Sequence, residues 1–121
     1  MNESAFYGKK GEDITSDYLR KNGFIIFKRN YHSRFGEIDI VAEKGNLLLF
    51  VEVKTRAEKS LVTGVEAVDI NKQNRLRLTA ADFLRKTHRE FQCRFDVSEI
   101  TVINENGKIK YRLNYIQNAF F

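Results

Sequence analysis

The stretch from Gly36 to Arg56 constrains this chain more than any other. Two apolar runs, Ile38 to Val41 and Leu47 to Val53, flank the pair Gly45-Asn46. Apolar runs on either side of a Gly-Asn pair predict a β-hairpin with a two-residue turn. Charged residues interrupt the runs away from the turn: Glu37 and Asp39 on the first strand, Glu52 and Lys54 on the second. Strand side chains alternate, so Glu37 shares a face with Asp39, and Glu52 with Lys54.

Register decides whether the two sets meet. If Gly45 and Asn46 are the turn residues, Lys44 faces Leu47, Asp39 faces Glu52 and Glu37 faces Lys54. Facing residues share one side of the sheet, with Cβ atoms roughly 4.5–5.5 Å apart. Two carboxylates that close repel each other, and a hard divalent cation between them turns the repulsion into a binding site. A three-residue loop would instead send Glu52 to the face opposite Asp39. Leu48 and Phe50 share a face with Glu52 and Lys54, while Leu47, Leu49, Val51 and Val53 line the other. Both faces are apolar near the turn and one becomes polar further along, as in a central strand with a functional patch at one end.

The 121 residues suit a single domain, 1–121. A net charge of +5 suits an anionic partner, either nucleic acid or an anionic membrane surface, and equally a soluble basic protein with no such partner. The N-terminus lacks the apolar core of a signal peptide, and no stretch approaches the length of a membrane span. One cysteine, Cys93, excludes an internal disulfide and a cysteine-based zinc cluster. Its apolar, alternating surroundings predict a small buried hydrophobe, and the setting expected is reducing and cytoplasmic.

Along the chain, residues 8–22 read as a helix stopped by Asn22-Gly23. Residues 1–7 either fray or begin it. At about 100° per residue, Gly8, Gly11, Ile14, Thr15, Tyr18 and Leu19 share a side, and the glycines there allow close approach to another element. Glu12 borders that stripe and can reach a cleft, although an edge Glu is also an ordinary solvated residue; Asp13 and Asp17 project outward. Residues 24–31 predict a strand, and the unbroken apolar run Phe24 to Phe27 suggests cover on both faces. Tyr31 to Phe35 read as a polar link, with Arg34 placed to touch a phosphate at the hairpin mouth and His32 as a loop residue.

Residues 56–64 read as a basic loop and residues 65–88 as a helix, broken near Asp69-Ile70-Asn71 where Asp or Asn can cap a second segment. Leu76, Ala80, Phe83 and Leu84 form its core stripe. Lys72 and Arg75, near its start, offer a phosphate-contacting edge. Strands are expected over 92–103 and 108–115, followed by a tail. Arg94 and Asp96 read as a structural ion pair or as edge polar positions, and Glu99 joins a site only if packing happens to bring it there. A helix Glu, a strand acid and Glu-x-Lys converging at one sheet end suit metal-assisted phosphodiester hydrolysis, with carboxylates holding Mg²⁺ or Mn²⁺ and a lysine near the reacting water or the phosphate.

Several stretches together carry a resemblance. They are Gly8-Lys9-Lys10-Gly11-Glu12, Asn30 with Gly36-Glu37-Ile38-Asp39, and Phe50-Val51-Glu52-Val53-Lys54-Thr55-Arg56. Lys72, Leu76, Ala80, Phe83-Leu84, Arg94-Phe95-Asp96-Val97 and Asn118-Ala119-Phe120 extend it over nearly the whole chain. The chain resembles the UPF0102 (YraN-like) family of small bacterial proteins. That family is similar to the restriction-endonuclease-like PD-(D/E)xK nucleases, archaeal Holliday-junction resolvases among them. The resemblance implies a three-layer α/β/α sandwich around a mixed sheet, and the elements read along the chain give it five strands in the order αβββαββ. It implies Glu12 as the helix acid, Asp39 rather than Glu37 with Glu52 as metal ligands, and Lys54 as the catalytic lysine. Ile38 stands where the superfamily motif has proline.

Three functions are therefore expected to compete. One is a Mg²⁺- or Mn²⁺-dependent nuclease acting on DNA, with branched or damaged structures among its substrates and a homodimer as the simplest way to cut two strands. The second is a nucleic-acid-binding module of the same fold that does not cut, with Arg34, Arg56, Lys72 and Arg75 as phosphate contacts. The third is an interaction protein whose hairpin acids form only an ion-pair cluster, Glu37 with Lys54 and Asp39 with Arg56 or a neighbour.

Overall fold

A computed structural model of the protein describes residues 3–58 and 68–120. Its elements are α1 (Glu3–Lys21), β1 (Ile25–Ser33), β2 (Gly36–Lys44), β3 (Leu47–Ala57), α2 (Ile70–Lys86), β4 (Gln92–Glu105) and β5 (Lys108–Phe120). The strands form one sheet in chain order, β1-β2-β3-β4-β5. Every neighbouring pair is antiparallel except β3 and β4, which are parallel. A parallel step needs a crossover, and α2 lies in it. The mixed five-stranded sheet and the order αβββαββ are those expected.

The two helices cover opposite faces. Leu76, Ala80 and Phe83 of α2 pack with Val41, Leu48, Phe50 and Val97. Leu19 of α1 packs with Ile40, Ala42, Leu49 and Val51. Leu48 and Phe50 alternate with Leu49 and Val51 along β3, so each face of the middle strand has its own core and the architecture is an α/β/α sandwich. These four side chains are at most 2% exposed. Burying each contributes about 1.5–3 kcal/mol.

The hairpin register follows from its turn. Gly45 has φ 58°, while Asn46 is not among the positive-φ residues, the pattern of a type II′ turn with glycine in its first central position. The loop is thus two residues long, and pairing runs from Lys44–Leu47 to Ile40–Val51. The ladder stops there, one step short of Asp39 and Glu52.

Gly11 shows how closely α1 lies on the sheet. A Cβ at that position would overlap the Thr55 hydroxyl and sit 3.3 Å from Ile100 Cγ1. The Thr15 hydroxyl locks the same turn, donating to the Gly11 carbonyl at 2.8 Å and sharing a 2.7 Å hydrogen bond with Ser98. Gly8 has no neighbour within 4 Å of a built Cβ, so the expected close approach occurs at Gly11 alone. Gly11→Ala is expected to cost about 1–3 kcal/mol through overpacking. Urea denaturation measures it, and an unchanged midpoint would mean that the helix shifts freely.

Asp96 is the most completely satisfied buried charge described. It is 0% exposed. Arg94 donates to it from Nε at 2.9 Å and from its terminal guanidinium at 3.0 Å. The Tyr115 hydroxyl (2.6 Å) and the Asn118 backbone N–H (2.8 Å) complete the set. The Arg94–Asp96 ion pair is therefore structural, and the Tyr115 and Asn118 bonds to Asp96 tie β5 to β4. Asp96→Ala, which strands a guanidinium and a phenol, is expected to cost about 3–5 kcal/mol in the same denaturation experiment.

Several expectations are corrected. The Phe24 to Phe27 run is not covered on both faces: β1 is an edge strand, with Ile25 64% and Phe27 47% exposed. A bulge between Ile26 and Lys28 breaks its alternation. The polar link at Tyr31 to Phe35 is mostly strand, because β1 runs to Ser33 and turns through Arg34-Phe35. His32 is therefore a strand residue paired with Glu37. The C-terminal tail continues β5 to Phe120, whose ring stacks on Phe95 at 5.2 Å. Cys93 is exposed, at the start of β4 before the core begins. Helix α1 starts at Glu3, so residues 3–7 begin it. Asp69 caps α2, accepting the Lys72 N–H at 2.9 Å. The basic loop expected beyond residue 58 and residues 65–67 of the expected helix lie outside the described residues.

Candidate active site

The site begins where the β2–β3 ladder stops. On the hairpin register Asp39 and Glu52 come next, but Asp39 Oδ2 accepts the Val53 backbone N–H at 2.8 Å. A carboxylate thus takes the place of a strand carbonyl. On its other side β3 stays paired with β4 as far as Ala57–Val102. One edge of β3 is released into a cleft while the other holds it rigid. Asp39 is 8% and Glu52 5% exposed, so both carboxylates are nearly removed from water.

Two amines meet Glu52. Lys54 Nζ lies 3.4 Å and Lys72 Nζ 2.9 Å from the same oxygen, Oε1. Lys54 arrives from the same strand. Lys72 arrives from the first turn of α2, where the Asp69 cap fixes the start of the helix. The Lys72 contact went unrecognised in the sequence, where Lys72 reads as an outer phosphate contact. A signal was present: a lysine in a helix's first turn opposes the helix dipole, so it favours a nearby carboxylate.

Burial and crowded charge perturb the group. Burial, and then the charge of Glu52, push the Asp39 carboxyl up to about 8; the Val53 N–H partly offsets this, and Glu12 and Glu37 add to it. Lys54 is lowered, first by burial and then by its hydrogen bond with Lys72. Burial also works against the Lys72 ammonium, but hydrogen bonds with Lys54 and Glu52 and the charges of Glu52 and Asp39 outweigh it, and its pKa is raised.

A cleft of about 590 Å³ gathers Glu12, Glu37, Asp39, Glu52, Lys54, Arg56 and Lys72 along its wall. Arg75 borders a smaller recess beside it, together with Glu37, Asp39, Glu52 and Lys72. Arg34 borders neither space: it stands on the β1–β2 turn with its guanidinium over Phe35 at 4.9 Å. Glu12 reaches the cleft already paired, 3.3 Å from Arg29 and 3.4 Å from Asn30 Nδ2. Asp13 does not simply face outward, since it holds the same Arg29 at 2.9 Å. Arg56 is ion-paired with Glu99, which is 5% exposed and so belongs to the wall rather than to the carboxylate pair. Glu37 does not pair with Lys54: it lies 3.2 Å from His32 Nδ1 across the β1–β2 ladder, and Lys54 turns to Glu52. Asp39 has no salt bridge to Arg56 or to any other described residue.

The donor chemistry fits a hard divalent cation. Asp39 and Glu52 are buried oxygen donors, and the charge of Glu52 raises the electrostatic cost of ionising Asp39. Among the described residues no three His, Cys, Asp or Glu side chains close into a metal-holding group. Mg²⁺ is commonly bound through one or two carboxylates, waters and substrate phosphate rather than by an all-protein cage. A carboxylate pair on the floor of an open cleft matches that mode.

Comparison with known proteins gives a family and no activity. The family model described as "Uncharacterised protein family UPF0102" matches residues 11–100. A UPF0102 protein of Dictyoglomus thermophilum is 45% identical over 114 residues, covering 93% of this chain and 95% of its own length. One of Dictyoglomus turgidum is 42% identical with the same coverage. One of Alkaliphilus metalliredigens is 43% identical, covering 93% of this chain and 96% of its own. Among the described residues no helix is long and apolar enough to cross a membrane.

Proposed function

The chain belongs to the UPF0102 family, and we propose that it is a divalent-metal-dependent nuclease hydrolysing phosphodiester bonds in DNA. The observation that carries this reading is the Asp39–Glu52 pair beside two amines in an open cleft. Asp39 and Glu52 would hold Mg²⁺ or Mn²⁺, which supplies Lewis acidity toward a phosphate and makes nearby water more acidic.

The chain's own residues supply the rest. The Val53 N–H orients Asp39 and leaves its second oxygen for a ligand. Lys54, lowered by burial and by Lys72, is poised to give or take a proton near the cleft floor, or to hold a phosphate oxygen. Lys72 balances the charge of Glu52 and presents a cation to the incoming strand. Glu12, held by Arg29 and Asn30, closes the α1 side with a third acid. Arg75 at the neighbouring recess is the outer phosphate contact. Arg56 is committed to Glu99, which makes it a wall residue first.

A DNA panel of single strands, duplexes, forks and four-way junctions, incubated with Mg²⁺ or Mn²⁺ and with EDTA, tests the proposal. Cleavage of at least one substrate only with metal is expected, and no cleavage of any DNA with either metal overturns it. One observation favours a second reading, a binding module that does not cut. Glu52 already carries two ammonium groups, so lysines can meet its charge without metal. Salt-sensitive DNA binding, weakened by Lys72→Ala but not by Asp39→Asn, would favour that reading.

A further inference from the structure

One wall of the cleft has no part in the chemistry described so far. Tyr7 of α1 lines the same cleft as Asp39 and Glu52. Its ring meets Phe6 edge-on at 5.4 Å and 74°, and lies tilted to Tyr111 of β5 at 6.4 Å and 58°. Ile109, two residues before Tyr111 on β5, borders the cleft beside them and is 38% exposed. Phe6 is 47% exposed, and no member of the ring group belongs to either core cluster.

We propose that this wall is a stacking platform for an unpaired nucleobase, so that the strand drawn into the cleft is single-stranded or frayed rather than continuous duplex. The inference rests on the nuclease reading and names its substrate class. Edge-to-face packing engages ring edges without covering both faces, and aromatic faces are what bases stack on. A nucleotide joins a flat, largely apolar base to an anionic phosphate. The cleft offers the same pairing of features: the Tyr7 ring, backed by Tyr111, and Ile109 on one wall, and the Lys54 and Lys72 amines on the floor. Its volume of about 590 Å³ falls in the range of small-ligand sites, roughly 300–1,000 Å³. Inside a duplex, base faces are stacked on one another and unavailable to a ring. Tyr7 and Tyr111 lie outside residues 11–100, so the platform is argued for this chain alone.

The test uses the full chain in EDTA with oligonucleotides carrying one 2-aminopurine: a single strand, its duplex, and a fork with the probe in the unpaired arm. Stacking quenches 2-aminopurine fluorescence. Wild type is expected to quench the single strand and the fork arm, and to bind both about tenfold or more tighter than the duplex. Tyr7→Leu and Tyr111→Leu should remove the quench and that preference, while Tyr7→Phe keeps both. Absence of a quench with wild-type protein overturns the platform without depending on any variant. Loss of binding that is equal for single strand and duplex in Tyr7→Leu also overturns it. Quenching without metal-dependent cleavage would sustain the platform and sink the nuclease; cleavage of duplex and fork alike without a quench would do the reverse.

Discussion

Replacing Glu52 by alanine is expected to lower metal-dependent cleavage by roughly a hundredfold or more, because the carboxylate anchors two amines and, in the proposed reading, also holds the cation. Binding should move the other way. Without Glu52, the floor of the cleft keeps the Lys54 and Lys72 ammonium groups and loses the anion between them. DNA affinity in EDTA should therefore hold or tighten, with a steeper dependence on salt. Single-turnover cleavage and fluorescence anisotropy separate the two effects. A variant that still cuts at the wild-type rate would remove Glu52 from the chemistry. One that loses DNA binding along with cleavage would make Glu52 a structural residue.

Asp39→Asn should stabilise the metal-free protein above pH 8, against the usual rule that substitutions at a site weaken the fold. The folded chain keeps a proton on Asp39 up to about pH 8, whereas the unfolded chain releases it near pH 4. Between those values the native state binds more protons, so stability falls as pH rises through the window and levels off above it. Asparagine has nothing to ionise and can still accept the Val53 N–H. The expected gain at pH 9 is roughly 2–4 kcal/mol, less than the full shift would give because the cleft admits water. The charges of Glu52, Glu12 and Glu37 also bear on the group, and Lys54 and Lys72 stand beside Glu52. Lys54, lowered in the fold, adds an opposite slope at high pH. The decisive quantity is thus the difference between wild type and variant in EDTA at pH 5 and pH 9. Equal pH dependence in the two proteins would mean that Asp39 is already ionised in the fold.

The hairpin was legible because its turn chemistry is local. Gly45-Asn46 implies a two-residue loop, and period-two alternation then brings Asp39 level with Glu52. The stripe of Leu76, Ala80 and Phe83 and the Asp69 cap were readable for the same reason. What sequence could not supply was tertiary placement. A continuous apolar run looks the same on an edge strand as on a central one, so Ile25 and Phe27 misled. Cys93 misled similarly, because its alternating pattern starts one step before the core does. The Lys72–Glu52 contact depends on how α2 crosses the sheet, and the Arg56–Glu99 pair on the parallel register of β3 and β4. Neither is encoded in spacing. The ladder's early end, which lets Asp39 take the Val53 N–H, is also a product of packing.

The central claim is that Asp39 and Glu52 together hold a divalent cation. Titration calorimetry with Mn²⁺ at pH 7, in two buffers of different ionisation enthalpy, tests it most directly. Because Asp39 holds a proton at that pH, binding should release about one proton per ion. Asp39→Asn and Glu52→Ala should each weaken or abolish the binding, and Asp39→Asn should also abolish the proton release. No Mn²⁺ binding by the wild-type protein, or binding and proton release that survive Asp39→Asn, would contradict it.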